Sequence, residues 1–363
     1  VTGHLLVAGF ATRHIVESAR RAGYRVTAID HFCDLDLERT ADECLRFETL
    51  DELAALVGAV SNRHLFTGFL NGSGAETLDP PVRRLGTPPS IAARFLDKDR
   101  TQAFFERLGV PVPRRQSRGR YPVMAKPLHG SGGWRNRVVR SDQELAEWAA
   151  LVPGQPYLLQ EFCAGTPASV SCVADGTRAV AVATNRQLLR GGDQMGFGFA
   201  GSVTPCDHPL AGEMAEMAER IAGASGCVGS MGIDFVLPDE PGATPVAIEL
   251  NPRFQGTVET VEAATGENLV ALHIDACNGR LPDAHPEART AAARRILFAS
   301  HNLVVGEDLS HLAPIVADIP RPGTPVQAGG AVVSVRASGA TTAEALAELD
   351  KHITAVGSYV ERW

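Results

Sequence analysis

Residues 232–236 read Gly232-Ile-Asp-Phe-Val236, and residues 247–253 read Ala247-Ile-Glu-Leu-Asn-Pro-Arg253. Between them lies the turn signal Pro238-Asp-Glu-Pro-Gly242. Apolar runs on either side of such a turn predict a hairpin with strands near 228–237 and 244–250. Glu249 and Asn251 are two apart, so a strand turns them to the same face. The hairpin sets Asp234 beside them. Two carboxylates and an amide oxygen at one strand end suit Mg²⁺ held together with substrate phosphates. Arg253 follows two residues later and is expected to face the same site. For Glu249 the plainer alternative is the solvated acidic end of an ordinary hairpin.

Working outward, Pro122-Val-Met-Ala-Lys-Pro127 places a lysine on an apolar strand, and His129-Gly-Ser-Gly-Gly133 follows. Lys126 has to bury its stem and pair its ammonium, with a phosphate or with a structural carboxylate. Gly130, Ser131, Gly132 and Gly133 offer backbone N–H groups that can wrap phosphate oxygens. Leu158-Leu-Gln-Glu-Phe-Cys163, then Gly165, is a strand running into a short linker, with backbone groups suited to the edge of a flat base.

The chain has 363 residues, which predicts two or three domains. It is 44% hydrophobic and 21% charged, close to average globular usage, so a disordered or fibrous chain is not expected. A net charge of −8 argues against a general nucleic-acid binder. Cys33, Cys44, Cys163, Cys172, Cys206, Cys227 and Cys277 are scattered with no CxxC spacing, which reads as reduced thiols. No apolar run approaches the roughly 20 residues of a membrane span, and the N-terminal stretch lacks the basic region of a signal peptide. A cytoplasmic multidomain enzyme without nucleic-acid or membrane partners is the expected class.

The N-terminal strand (4–8), helix (12–22) and strand (25–30) form an α/β unit, with further elements near 50–58, 65–69 and 90–108. From residue 114 short strands alternate with glycine-rich turns, an antiparallel α+β texture. Helical patterns follow at 208–225 and 257–278. Strands near 293–300 and 330–336 and a helix near 341–353 make the tail. Gly196, Gly198 and Gly201 fit GxGxxG, but SVTP follows rather than a helix, so a dinucleotide site is not expected there. The first strand is followed by Gly9 alone, without a glycine-rich turn. NAD binding with Asp30 as ribose acid is therefore not expected either.

Taken in order, the strand lysine with its glycine loop, QEFCAG, GIDF and IELNPR resemble the ATP-grasp superfamily. Within it the chain looks most like the carboligase-like group related to biotin carboxylase. Leu96-Asp-Lys98-Asp99 and GVPVP match the element before the lid, and Gly330-Ala-Val-Val-Ser-Val335 looks like the last subdomain. The resemblance covers about residues 3–353. It implies an α/β pre-ATP-grasp domain at 1–95, a lid region at 96–190, a core with the metal site at 191–282 and a C-terminal α+β subdomain at 283–363. Lys98 and Lys126 would contact ATP phosphates, and the glycine loop would close over them. Gln160, Glu161, Phe162 and Cys163 would form the adenine hinge. Asp234, Glu249 and Asn251 would hold two Mg²⁺, and Arg253 would face the transferred phosphoryl group. The chain departs from the family where a ribose-binding acid often follows the hinge, since Thr166 and Pro167 stand there.

The implied reaction is ATP-dependent ligation of a carboxylate to an amine through an acyl phosphate. The alternatives are a biotin-type carboxylase making carboxyphosphate and a non-catalytic ATP-binding regulatory protein. No biotinyl-lysine carrier motif occurs in the chain, and the metal triad is intact. Asn185, Arg186, Gln187, the segment 198–201 and Arg253 to Gln255 are candidates for the acceptor site, with a surface ion pair as the plainer role of Arg186. The resemblance further implies small-molecule acid and amine substrates, such as a glutamate-type acid and a cofactor amine, and a homodimer.

Overall fold

The computed structural model describes residues 3–130, 132–133, 135–191 and 196–363. The chain begins with β1 (His4–Gly9), α1 (Arg13–Arg21), β2 (Arg25–Asp30), α2 (Leu35–Thr40), β3 (Glu43–Arg46), α3 (Leu50–Val60) and β4 (Gly68–Asn71). The four strands form a parallel sheet in the order β3-β2-β1-β4. In β1, Leu5 and Val7 pack with α1, and Leu6 and Ala8 pack with α3. A strand covered on both faces needs a continuous apolar run, which HLLVA provides.

Two short helices follow, α4 (Pro89–Phe95) and α5 (Lys98–Arg107). The single helix expected at 90–108 is divided because the Asp97 carboxylate caps a new helix, accepting from the N–H groups of Asp99 and Arg100. A small sheet then forms from β5 (Val123–Pro127), β6 (Arg137–Val139) and β7 (Tyr157–Glu161), with α6 (Asp142–Ala150) between the last two. Helix α6 was not expected, although Ser141 and Glu144 carry its signature. The Ser141 hydroxyl accepts from Glu144 N–H, and the Glu144 carboxylate accepts from Arg140 N–H, as in a capping box.

The remaining elements are β8 (Thr166–Asp175), β9 (Ala179–Leu189), β10 (Phe199–Thr204), α7 (Ala211–Ser225), β11 (Val228–Leu237), β12 (Val246–Asn251), α8 (Val258–Thr265), α9 (Leu269–Cys277), β13 (Ala291–Phe298), β14 (Leu303–Val304), β15 (Val316–Ala317), β16 (Pro325–Val326), β17 (Ala331–Gly339) and α10 (Thr342–Val360). Eight of these strands build one sheet, β12-β11-β8-β9-β10-β13-β17-β15. Strands β8 and β9, expected with the lid, belong to this large sheet. The tail expected as a separate subdomain extends the same sheet through β13, β17 and β15. The helical pattern at 257–278 divides at Gly266, whose φ of 79° ends α8, and Asn268 then caps α9.

Alternation along β8 shows how this sheet is covered. Ala168, Val170, Cys172 and Ala174 pack with Met214 and Ile221 of α7. Val173 points the other way, into the core shared by α8, α9 and α1. On β11, Ile233, Phe235 and Leu237 share the α7 core, which turns Gly232, Asp234 and Val236 to the opposite face. Among the described residues no helix is long and apolar enough to cross a membrane.

Candidate functional site

The β11–β12 register places Asp234 directly opposite Glu249, and Gly232 opposite Asn251. The predicted carboxylate pair therefore converges on one face at one end of the hairpin. Asp234 accepts from Gln187 Nε2 at 2.9 Å, Asn251 Nδ2 at 3.1 Å and Gln255 Nε2 at 3.4 Å. Burial, and then the neighbouring Glu249 charge, push its carboxyl up to about 7. Two carboxylates pressed together in a buried setting call for a cation.

Two lysines stand across from them. Lys98, the first residue of α5, donates to Gly130 O at 2.6 Å, and its Nζ lies 3.8 Å from Glu249 Oε1. Lys126, on β5, is 6% exposed. Burial pushes its ammonium down to about 8, against the pull of Glu249. An ammonium held in so dry a place favours an anionic ligand that restores its charge.

The glycine loop meets the segment before β10. Phe199 N–H donates to Gly132 O at 3.0 Å. Gly133 has a φ of 71°, and a Cβ there would fall 1.9 Å from Phe197 O, so a larger residue would push the loop off its seat. Ser131, expected to contact phosphate, lies outside the described residues.

At the hinge the four expected residues separate into two pairs. Gln160 turns inward, its Nε2 donating to Gln102 Oε1 at 2.9 Å, and it does not face the cavity. The Glu161 carboxylate accepts from the N–H and the Nε of Arg114, and its own N–H is used by Arg114 O. Phe162 and Cys163 carry no backbone hydrogen bonds among the described residues, so their polar groups are available to the edge of a base. Pro167 lines the wall where the ribose acid was absent from the sequence.

Arg253 is held in part by a residue the sequence did not connect with it, Glu76. Its Nε donates to Glu76 Oε1 at 2.9 Å, Nη1 to Phe254 O at 3.0 Å and Nη2 to Asn251 Oδ1 at 3.3 Å. Glu76 comes from the loop after β4 and accepts from Gly74 N–H as well. The acidic residues a few positions further on, Glu259 and Glu262, are engaged elsewhere: Glu259 by Arg13 and Arg294, Glu262 by Arg21 and Ser18.

Most of these groups border a cavity of about 900 Å³; Lys98, Gln160 and Glu76 stand behind its wall. Lys126, Gly132, Gly133, Phe162, Cys163, Asp234, Glu249, Asn251 and Arg253 line one part of it. Gln187, one of the acceptor candidates, lines it too. Asn185 does not: it is fully buried and bonded to Ser171 and Thr204. Arg186 stays outside as well, 3.9 Å from Asp207. Asp30 is consumed by the turn after β2, accepting from Thr12, Phe32 and Cys33. The rest of the wall was missing from the sequence reading. It comes from Phe10, His14, His31, Phe32 and Asp34, and from Arg294, Asp318 and the 324–334 segment. One signal was present: these first residues follow β1 and β2, and ligands of open parallel sheets lie beyond the carboxyl ends of the strands.

Residues 95–257 match the model of the ATP-grasp domain family. A curated relative, the C-terminal section of the carbamoyl phosphate synthase large chain of Methanopyrus kandleri, is 26% identical over 304 residues, covering 75% of this chain. The chain spans 55% of that relative's length. Among solved structures, the biotin carboxylase domain dimer of Hydrogenobacter thermophilus 2-oxoglutarate carboxylase, in complex with MgADP, ADP and bicarbonate, aligns with a TM-score of 0.77. It is 15% identical, over 97% of this chain and 89% of that one. The L-amino acid ligase of Bacillus licheniformis aligns with a TM-score of 0.74 at 18% identity, over 96% of this chain and 97% of that one. The fold is the ATP-grasp fold, with mixed α/β and α+β content, as the motif order implied.

Proposed function

We propose that this protein is an ATP- and Mg²⁺-dependent carboxylate–amine ligase that works through an acyl phosphate and releases ADP. The observation that carries the reading is the buried face of Asp234, Glu249 and Asn251, opposed by Lys98 and Lys126, inside an ATP-grasp domain. The donor set fits Mg²⁺: all three side chains offer hard oxygens, and the carboxylates lie opposite each other without a full counter-charge. Bound there, the metal would neutralise phosphate oxygens during transfer.

The chain's own residues do the rest. Lys126 and Lys98 hold phosphate charge, and the 130–133 loop covers it with N–H groups. Phe162 and Cys163 present backbone groups to the base. Arg253, oriented by Glu76, meets the carboxylate being activated with a fork that matches two oxygens. The small sheet β6-β5-β7 acts as a lid that keeps water from the acyl phosphate.

The test is ADP release with Mg²⁺ATP over a matrix of acids and amines. Release that requires both a carboxylate and an amine, and disappears in Glu249→Gln, supports the reading. Release that persists with a chelator, or that bicarbonate supports without any amine, overturns it.

A further inference from the structure

The cavity extends past the metal-binding face to the carboxyl end of the N-terminal parallel sheet, and there its chemistry changes. Phe10 follows β1, and His31, Phe32 and Asp34 follow β2; all four line the wall. Phe10 is 42% exposed and Phe32 39%, unusual for large apolar side chains in a well-packed unit. The rings form a cluster: Phe10 stacks on His31 at 4.4 Å and meets Phe32 edge-on at 5.5 Å. Aromatic faces left open on a cavity wall attract cations.

The other charges on this part of the wall are paired within the protein. Arg294 pairs with Asp318 at 2.5 Å, Arg46 with Glu48 at 3.1 Å, and Arg321 with Glu38. His14 is kept neutral, its imidazole pushed down to about 4 by burial and by Arg13. Asp34 differs. It occupies the N-cap position of α2, where a carboxylate normally accepts a helix N–H, yet it makes no such bond. Its backbone carbonyl accepts from Glu38 N–H, but its carboxylate has no hydrogen bond or ion pair among the described residues. Burial and the nearby carboxylates of Asp318, Asp36 and Asp30 push its carboxyl well up. A lone carboxylate beside open aromatic rings forms a receptor for a positive charge.

We propose that this end of the cavity is a cation subsite, in which Asp34 is the counter-ion and Phe10, His31 and Phe32 the π wall for an ammonium carried by one substrate. The inference rests on the ligase reading for the identity of the bound molecule as a substrate. It goes beyond that reading in naming the substrate class: a molecule bearing an amino group, protonated at neutral pH, away from the reacting end.

The test uses ω-amino carboxylates of four to eight carbons and the corresponding unsubstituted alkanoates, titrated into the intact protein by ligand-observed NMR. At least one ω-amino carboxylate should bind tenfold or more tightly than its alkanoate. Asp34→Asn should abolish that preference while leaving alkanoate binding in place. Phe32→Leu should reduce it several-fold, and as an exposed substitution it serves if Asp34→Asn melts early. Equal binding of the two series to the wild type, or a preference that survives Asp34→Asn, overturns the proposal. Mg²⁺ADP affinity is measured in parallel, and its absence would sink the ligase reading without touching the subsite.

Discussion

Two clusters of buried charge lie along the same cavity, and they are built to opposite ends. In the first, Arg13 joins Glu259 at 2.6 Å and Asp318 at 2.6 Å, Arg294 joins Asp318 at 2.5 Å, and Arg336 joins Glu259 at 2.8 Å. Burial alone would raise both carboxyls, but Arg13 and Arg294 outweigh it and hold them well below the usual range. In the second, burial dominates. The Asp234 carboxyl is pushed up to about 7 and the Lys126 ammonium down to about 8. The first cluster is complete in the protein alone and ties α1, α8, β13 and β17 together. The second is short of charge of both signs, cation for its carboxylates and anion for its lysine, which is what a metal–phosphate ligand supplies.

That contrast can be broken from either side. The largest effect is expected from Glu259→Ala, which takes a buried partner from three guanidinium groups, those of Arg13, Arg294 and Arg336. Removing one partner of a buried ionic set costs about 3–5 kcal/mol, so chemical denaturation should show a large loss of stability. A loss below about 1 kcal/mol would mean that water already serves this cluster. Next comes Arg253→Ala, on the functional side. A fall in kcat of about 10²–10³-fold with little change in melting temperature is expected if the guanidinium meets developing charge. Arg253→Lys should recover little, since a lysine cannot hold Glu76, Phe254 O and Asn251 at once. A lowered melt with near-normal kcat in either variant would move Arg253 into the structural class.

Lys126→Ala sharpens the comparison further. Removing an ammonium whose charge burial disfavours should not destabilise the fold, yet it should weaken Mg²⁺ADP binding by roughly 1.5–3 kcal/mol in calorimetry. Unchanged nucleotide affinity would contradict the phosphate role.

The smallest effect concerns a buried group that is satisfied while uncharged. His273 accepts from Ser230 N–H through Nδ1 at 2.7 Å, and its Nε2 lies 2.9 Å from Leu85 O. Burial pushes its imidazole down from 6.5 to about 4. The unfolded chain therefore binds the proton more readily between those values. His273 contributes its stability fully above pH 6.5 and loses it as pH falls toward 4. The slope of unfolding free energy over that window should flatten in His273→Gln, and an unchanged slope would assign the acid sensitivity to other groups.

Much of the site was legible because its signals are local. Alternation along 247–251 put Glu249 and Asn251 on one face, and the PDEPG turn brought Asp234 opposite. Gly130 to Gly133 mark the loop through their backbone freedom. Other features depend on partners far away in the chain. Glu76 and Arg253 are 177 residues apart, and nothing near either one announces the other. Gln160 looked like a hinge residue by position, but its direction depends on Gln102 of α5. Cys33 and Cys44 looked scattered, yet their sulfurs lie 2.7 Å apart because β2 and β3 are neighbours.

The sequence by itself determined most of the elements and the convergence of Asp234, Glu249 and Asn251 on one hairpin end. Strand period, capping residues and turn glycines act within a few residues of chain, and the ATP-grasp motifs are made of such pieces. Tertiary structure alone decided that the tail extends the large sheet, and that Arg13, Glu259 and Asp318 neutralise one another. It also decided that the Asp34 carboxylate faces the cavity with no partner among the described residues. Those outcomes depend on which buried charges meet across more than 200 residues of chain, and desolvation makes each meeting decisive only once the surrounding walls are in place.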